Sequence, residues 1–205
     1  MHSSTELLGV GLMDLSDSSK RIKNKVFETG RELSNNVFKC INDVLPFQNW
    51  NQISRLSVAI GPGGFTGTRI AVAISRTIAQ QLNCELDGVS CFALMAKRLD
   101  SKNEINNPNE PFWIIKSLKR QGIIGGLYKI QNKPSIAYCE KVIEIEPPHL
   151  LKGKMNLGKA IKYEEDVYLD ISELLHISLS AHQIKKKSRW NEILPIYPTS
   201  PIDNI

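Results

Sequence analysis

Gly61-Pro62-Gly63-Gly64-Phe65-Thr66-Gly67 is the densest glycine cluster of the 205-residue chain, set between a short apolar run and a helix-like segment. A glycine turn in that position can hold an anion, because backbone N–H groups point outward and the helix start carries partial positive charge. Gly61, Gly63, Gly64 and Thr66 are the candidate ligands. Their spacing matches neither standard phosphate loop. A Walker A loop needs Gly-x-x-x-x-Gly-Lys-Ser/Thr, whereas Gly67 is followed by Thr68-Arg69. The dinucleotide fingerprint fails at its third glycine, where Thr66 stands. A tight turn, whose glycines permit positive φ and close helix–strand packing, is the stronger reading.

Other reactive side chains are dispersed. The histidines are His2, His149, His176 and His182. The closest pair, six positions apart, is ~600° around a helix and shares no face, so no metal site is expected and surface or capping duties are. Cys40, Cys84, Cys91 and Cys139 form no Cys-x-x-Cys pair and read as reduced, mostly buried thiols. Asp14, Asp43 and Asp87 are the acidic candidates of the first half, each with a turn, cap or surface role open to it. No Ser/His/Asp or Cys/His arrangement announces itself. The run Lys185-Lys186-Lys187-Ser188-Arg189-Trp190 could meet RNA phosphate with the indole as a stacking surface. A solvated helix end, where cations offset the dipole, is the preferred reading. The net charge of +5 is compatible with RNA and does not demonstrate it.

The elements that position these residues follow from pattern. Residues 7–15 read as a strand and 25–29 as its returning partner. Ser34 is the expected N-cap of a helix carrying Val37, Cys40, Ile41, Val44 and Leu45 as one stripe, widened by Phe38 and stopped by Pro46. Residues 56–60 read as a buried strand, and a helix runs from about residue 66 to 82 with Thr66 as N-cap and Arg69 and Arg76 on one face. Residues 87–90 end a further strand, and Ser90 caps a helix through Leu99. Strand, turn, helix, strand, helix predicts an α/β layer with parallel pairing. Residues 100–111 form a linker. Beyond it, 112–115, 123–130 and 135–145 suggest a small antiparallel sheet, with a turn at Gln131-Asn132-Lys133-Pro134 and a break at Glu146-Pro147-Pro148. A closing helix covers 172–186. The organisation is thus a lobe at 1–100 and a smaller lobe with the closing helix at 101–205.

The helix behind the turn adds a second feature. Ile70, Ala71, Val72, Ala73 and Ile74 are consecutive, so apolar surface wraps most of it, and Gly67, Ala71, Ala73 and Ala79 keep it thin. Burial within its own domain and a helix–helix contact with a second chain both fit. No apolar run approaches the ~18 residues of a membrane span, and no basic segment precedes the first apolar stretch as a secretory signal requires.

The stretch Val58-Ala59-Ile60-Gly61-Pro62-Gly63-Gly64-Phe65-Thr66-Gly67-Thr68-Arg69-Ile70, continuing to Gly88-Val89-Ser90, resembles the TsaB (YeaZ) family. The usual form there is Gly-Pro-Gly-Ser-Phe-Thr-Gly-Leu-Arg-Ile, a helix, then Gly-Val-Ser-Ser; Gly64 and Thr68 stand for the usual serine and leucine. His2-Ser3-Ser4-Thr5 resembles the family's Asp-Thr-Ser-Thr turn, and Gly30-Arg31-Glu32-Leu33-Ser34 its Gly-Arg-x-His-Ser helix entry. Trp190 with Leu194-Pro195-Ile196-Tyr197 resembles its closing segment. The likeness is dense over residues 56–96 and thin over 100–190.

The resemblance implies an α/β, actin/Hsp70-like fold made of two RNase H-like halves, the second reduced. It implies a cytoplasmic, non-catalytic subunit that dimerises with and activates a TsaD-like partner. That partner holds the metal and transfers threonylcarbamoyl from its adenylate onto adenosine in tRNA. A TsaE-like ATPase joins the assembly, tRNA is met through the complex, and no membrane is involved. No cofactor or metal of the chain's own is implied; ATP or ADP stays open at the partner interface, and a homodimer stays open for the chain alone. The expected partner face comprises Val37, Phe38, Ile41, Arg69, Ile70, Ala73, Ile74 and Thr77. Two rivals remain: a self-sufficient ATPase or kinase of this fold, motivated by the glycine turn, and a stand-alone RNA-binding module, motivated by charge. Three departures stand out. His2 replaces the turn's aspartate, and Ser117-Leu118-Lys119-Arg120 replaces an Asp-Ala-Arg-Arg segment. The family also places an apolar strand before the turn with which this sequence opens, so either the start codon is misplaced or the central sheet lacks a strand.

Overall fold

The computed structural model describes residues 1–16, 19–105, 107, 109–119, 121–131, 141–152 and 157–198. β1 (Leu7–Met13) folds back on β2 (Ile22–Glu28) as an antiparallel hairpin, in register from Leu7↔Glu28 to Met13↔Ile22. A 3-10 turn then leads into α1 (Leu33–Val44), whose stripe Val37, Cys40, Ile41 and Val44 is buried, as its spacing predicts. The expected cap does not hold. Glu32 takes the N-cap position without a side-chain bond, because the 3-10 turn leads straight into the helix and the buried Leu33 draws its first residue inward. Ser34 therefore lies inside the helix.

β3 (Arg55–Ala59) and β4 (Glu85–Val89) pair in parallel, joined by α2 (Phe65–Leu82), which Asn83 closes in the left-handed conformation at φ 49°. Here too the expected cap shifts. Gly64, not Thr66, is the N-cap, since its carbonyl accepts from Thr68 N–H at 3.0 Å while its own N–H is held by Ser4. Ser90 does cap α3 (Cys91–Ser101), its hydroxyl accepting from Ala93 N–H at 3.0 Å.

Two residues link the hairpin to the parallel pair. Met1 N donates to Ser57 O (2.7 Å) and Met1 O accepts from Ala59 N (2.9 Å), a parallel bridge. His2 exchanges both backbone bonds with Gly9 (2.9 and 2.8 Å), an antiparallel one. The first sheet thus reads β2-β1-(Met1, His2)-β3-β4.

The second sheet has the order β7-β6-β5-β8, from β5 (Phe112–Leu118), β6 (Gly122–Ile130), β7 (Val142–Leu151) and β8 (Ala160–Lys162). It is mixed rather than antiparallel, because β8 joins β5 in parallel; three residues are too few to carry a strand pattern. Glu146-Pro147-Pro148 does not break β7. The strand lies at the sheet edge, and its register shifts opposite Gly125 to Leu127, so a bulge absorbs the prolines. Residues 132–134 of the expected turn and 135–140 of the expected strand fall outside the described residues.

α4 (Val167–Gln183) begins before residue 172 because Asp166 caps it, accepting from Leu169 N–H at 3.0 Å, and Val167, Asp170 and Ile171 are buried. It packs across β1 and β3 and against α3, which covers the second sheet. One core joins α3 to that sheet through Phe92, Leu94, Phe112, Ile114 and Tyr128; fully burying each such side chain contributes ~1.5–3 kcal/mol. A second core holds α1 on the hairpin through Leu8, Val37, Ile41 and Ile78. A third holds α2 on β3 and β4 through Val58, Val72 and Leu86. Among the described residues no helix is long and apolar enough to cross a membrane.

Candidate partner interface and glycine turn

The glycine turn is a floor for the chain's own first residues. Gly61 takes φ +94° and its carbonyl accepts from Cys91 N–H at 2.7 Å, which ties the end of β3 to the start of α3. A Cβ on Gly63 would lie 2.2 Å from Ser4 Cβ, and one on Gly67 would lie 2.5 Å from Ser3 O, so only glycine lets Ser3 and Ser4 rest there. Gly64 N–H donates to Ser4 O at 2.5 Å. Of the four anion candidates, Gly61 is buried, Gly64 has its amide engaged within the chain, and only Gly63, Gly64 and Thr66 reach solvent.

Behind this floor lies a polar cluster shut from solvent. His2 and Asp170 are both fully buried, with His2 Nε2 3.3 Å from Asp170 Oδ2. Asp170 Oδ1 accepts from Arg98 Nε at 2.6 Å, and Arg98 also donates to Glu164 O. Burial by itself would lower the imidazole, but Cys91 and Asp170 beside it prevail and raise His2 to about 9, so it carries charge at neutral pH. Ser4 Oγ donates to Glu165 Oε1 at 2.7 Å. Nearby, Ser90 and Tyr128 both donate to Glu144 Oε2, at 2.6 and 2.8 Å. Burial, then Glu144, pushes the Tyr128 hydroxyl up, which keeps it a donor.

Two expectations about single residues are corrected here. His2 has no surface or capping duty; it fills the core as half of an ion pair. Asp87 is no turn or surface acid. Both of its oxygens accept from Arg55 (2.6 and 2.7 Å), and Ser178 and Ser188 donate to it as well. The signal available in sequence was a charge inside an otherwise apolar strand, which a buried partner must balance.

The outer face of the first half is different in kind. Arg69 lies over the Phe65 ring at 3.4 Å and donates from Nε to Tyr197 OH at 2.7 Å, so the guanidinium is clamped between two half-exposed rings. Ala73 and Thr77 are exposed and Ile70 and Ile74 half-buried against the α1 core, so these four do share an outward face on α2. Phe38 stands 48% exposed on α1. Val37 and Ile41 do not belong with it. At 1% and 7% exposure they face the hairpin, because the stripe that defines α1 points to its own core. In the basic run, Trp190 is half-buried against the α2 core with Arg76 5.9 Å from its ring, and Ser188 bonds Glu85 and Leu86. The indole is therefore not a free stacking surface. Arg120 and Cys139 lie outside the described residues, and among the described residues no three His, Cys, Asp or Glu side chains gather as a metal site.

Residues 27–184 match the model of the family described as TsaD: tRNA N6-adenosine threonylcarbamoyltransferase. The chain belongs to this family. Its kinship there is with the TsaB (YeaZ) proteins. The tRNA threonylcarbamoyladenosine biosynthesis protein TsaB of Buchnera aphidicola subsp. Baizongia pistaciae is 25% identical over 201 residues, covering 85% of this chain and 89% of that protein. Two solved structures from Pseudomonas aeruginosa give the fold. One is a protein with similarity to peptidase YeaZ, at TM-score 0.72 and 16% identity over 97% of both chains. The other is YeaZ itself, at 0.67 and 16% over 96% of both. The architecture is accordingly the actin/Hsp70-like α/β fold of TsaB and TsaD relatives.

Proposed function

We propose that the chain is a non-catalytic subunit of the assembly that makes N6-threonylcarbamoyladenosine in tRNA, and that it pairs through α1 and α2 with a TsaD-like catalytic subunit. The observation that carries the reading is the outward face itself. Phe38 is half-exposed on α1, and Ile70, Ala73, Ile74 and Thr77 lie on one outward face of α2, two helices that contribute to one core. Small residues let a partner helix approach, and a half-exposed phenylalanine supplies the anchor. The curated TsaB relative supports the pathway. On this reading tRNA and a TsaE-like ATPase are met through the complex in the cytoplasm, and any ATP or ADP belongs to the partner interface.

The inner side supports a subunit without chemistry of its own. Where a phosphate would meet the glycine turn, Ser4 already accepts the Gly64 amide. His2 and Asp170, a histidine–carboxylate pair beside the Cys91 thiol, are shut from solvent and cannot attack a peptide or a nucleotide. The peptidase label belongs to the relative, and nothing in the geometry of the described residues favours it.

Complex formation with a TsaD-like protein tests the proposal. Phe38→Asp and Ile74→Glu should each weaken the complex by at least about tenfold, read by calorimetry or size-exclusion chromatography. An undiminished complex from both variants sinks the proposed face. Titration of the isolated chain with Mg-ATP should give no binding; micromolar binding with turnover would favour a self-sufficient ATPase.

A further inference from the structure

The segment that follows α4 returns along the first sheet and reaches α2. Ser188 O accepts from Leu86 N–H at 3.0 Å, and the Ser188 hydroxyl donates to Asp87 at 2.8 Å. Farther along, the Ile193 side chain fills the space that Gly88 leaves, where a Cβ would lie 2.9 Å from Ile193 Cγ2. Ile196 N–H then donates to Ile60 O at 2.8 Å, just past the end of β3. These ties fix the strap to the sheet, so the residue after Ile196 is delivered to one place. That residue is Tyr197, and the place is the first turn of α2.

Tyr197 meets Phe65 with ring centroids 5.1 Å apart, and its hydroxyl accepts from Arg69 Nε at 2.7 Å. The same guanidinium lies 3.4 Å from the Phe65 centroid. An exposed arginine ordinarily samples many rotamers, and immobilising it on binding costs affinity. Here the ring and the hydroxyl fix its plane in advance. With Nε engaged by Tyr197, the end-on pair Nη1 and Nη2 remains, and neither has a partner among the described residues. Two parallel N–H donors of one fork match the two oxygens of one carboxylate.

Placement says whose carboxylate. Arg69, Ala73 and Thr77 are spaced four apart, so the guanidinium stands at the head of the outward face of α2. The other cation of that helix, Arg76, lies against Trp190 about 10 Å further along the axis. A phosphate draws several cations, whereas a single fork between aromatic rings suits one carboxylate side chain of a protein. We propose that Arg69 receives one Asp or Glu carboxylate of the TsaD-like subunit, and that Tyr197 is the positioning residue that holds it ready. The inference rests on the pairing through α2 argued above and adds one polar contact to it. Apolar faces alone leave the register of two helices loose, and a forked ion pair at one end sets it.

Affinity for a TsaD-like protein, measured by calorimetry with Tm as the control for folding, tests the contact. Arg69→Ala should weaken the complex at least about tenfold and flatten its salt dependence. Arg69→Lys keeps the charge without the fork and should weaken it at least about fivefold. Tyr197→Phe keeps the ring and the strap. It should weaken the complex about three- to tenfold, and Arg69 Nε–H of the isolated chain, followed by nitrogen NMR, should exchange with water at least about tenfold faster. In the Arg69→Ala background Tyr197→Phe should change nothing further, because it acts through Arg69. Full affinity in Arg69→Ala or Arg69→Lys overturns the proposal, and so does a Tyr197→Phe effect that persists without Arg69. If Ile74→Glu weakens the complex while Arg69→Ala does not, the helix pairing stands and this contact falls. If neither does, the pairing fails and the contact with it. Saturable binding of inorganic phosphate by the isolated chain, lost in Arg69→Ala, would give the fork to phosphate and overturn the proposal. Self-association of the chain that Arg69→Ala abolishes would give it to a second copy and overturn the proposal equally.

Discussion

β5 runs for seven residues through the middle of the second sheet, whereas its counterpart in the first sheet is Met1 with His2. The second half accordingly has a seven-residue ladder of β5 with β6 over an apolar core of Phe92, Phe112, Ile114 and Tyr128. The first half has two smaller apolar cores, under α1 and under α2, and adds buried polar ties to them. Arg55, Asp87, Ser178 and Ser188 bind β3, β4, α4 and the closing segment together. His2, Asp170 and Arg98 bind the first residues to α4 and α3. Two halves with one strand order can thus be stable by different means. The buried charges of the first half must stay paired, because a buried charge that loses its partner costs more than the pair contributed.

Four measurements sharpen or break this contrast. Asp87→Ala removes the carboxylate that balances Arg55, whose side chain is 6% exposed, and should cost about 3–5 kcal/mol in urea unfolding; a loss near zero would mean that the tie is dispensable. Ile114→Ala, fully buried in β5, should cost about 2–5 kcal/mol, and Leu12→Ala, half-buried in β1, less than half of that. Equal losses would erase the difference between the halves.

The third measurement concerns pH. His2 is raised from its ordinary 6.5 to about 9, so the folded state keeps a proton that the unfolded state releases. That contribution is complete below pH ~6.5 and disappears as pH rises through about 9. The stability gap between the wild type and His2→Gln should therefore narrow across this window; a constant gap would deny His2 its charge. The smallest effect is expected at Lys25→Ala. The Lys25–Asp43 pair is about half exposed (54% and 49%) and screened by solvent, so its loss should leave the urea midpoint almost unchanged.

Much of the first half was legible because its signals are local. The apolar stripe of α1, the strand–glycine turn–helix joint and the Ser90 cap each follow from neighbours in sequence. What stayed hidden depends on distance. The pairing of His2 with Asp170, and of Arg55 and Asp87 with Ser178 and Ser188, joins residues remote in the chain, and one sequence carries no sign of them. The same limit misassigned Val37 and Ile41 to the partner face, since a stripe reveals that a helix has a buried side but not what covers it. β8 was too short to announce itself, and the prolines of β7 were read as an end because edge position is not written locally. The resemblance covered what the pattern could not: kinship and fold.

Whether this chain acts by holding another is open to direct measurement. The reaction to follow is formation of N6-threonylcarbamoyladenosine on tRNA by a TsaD-like protein and a TsaE-like ATPase, supplied with threonylcarbamoyl-adenylate. It is run with the chain present, absent or replaced by Ile74→Glu. Modification should require the wild-type chain, fall at least about tenfold with the variant, and be absent when the chain is alone with substrate. Full modification without the chain, or turnover by the chain alone, would contradict that role.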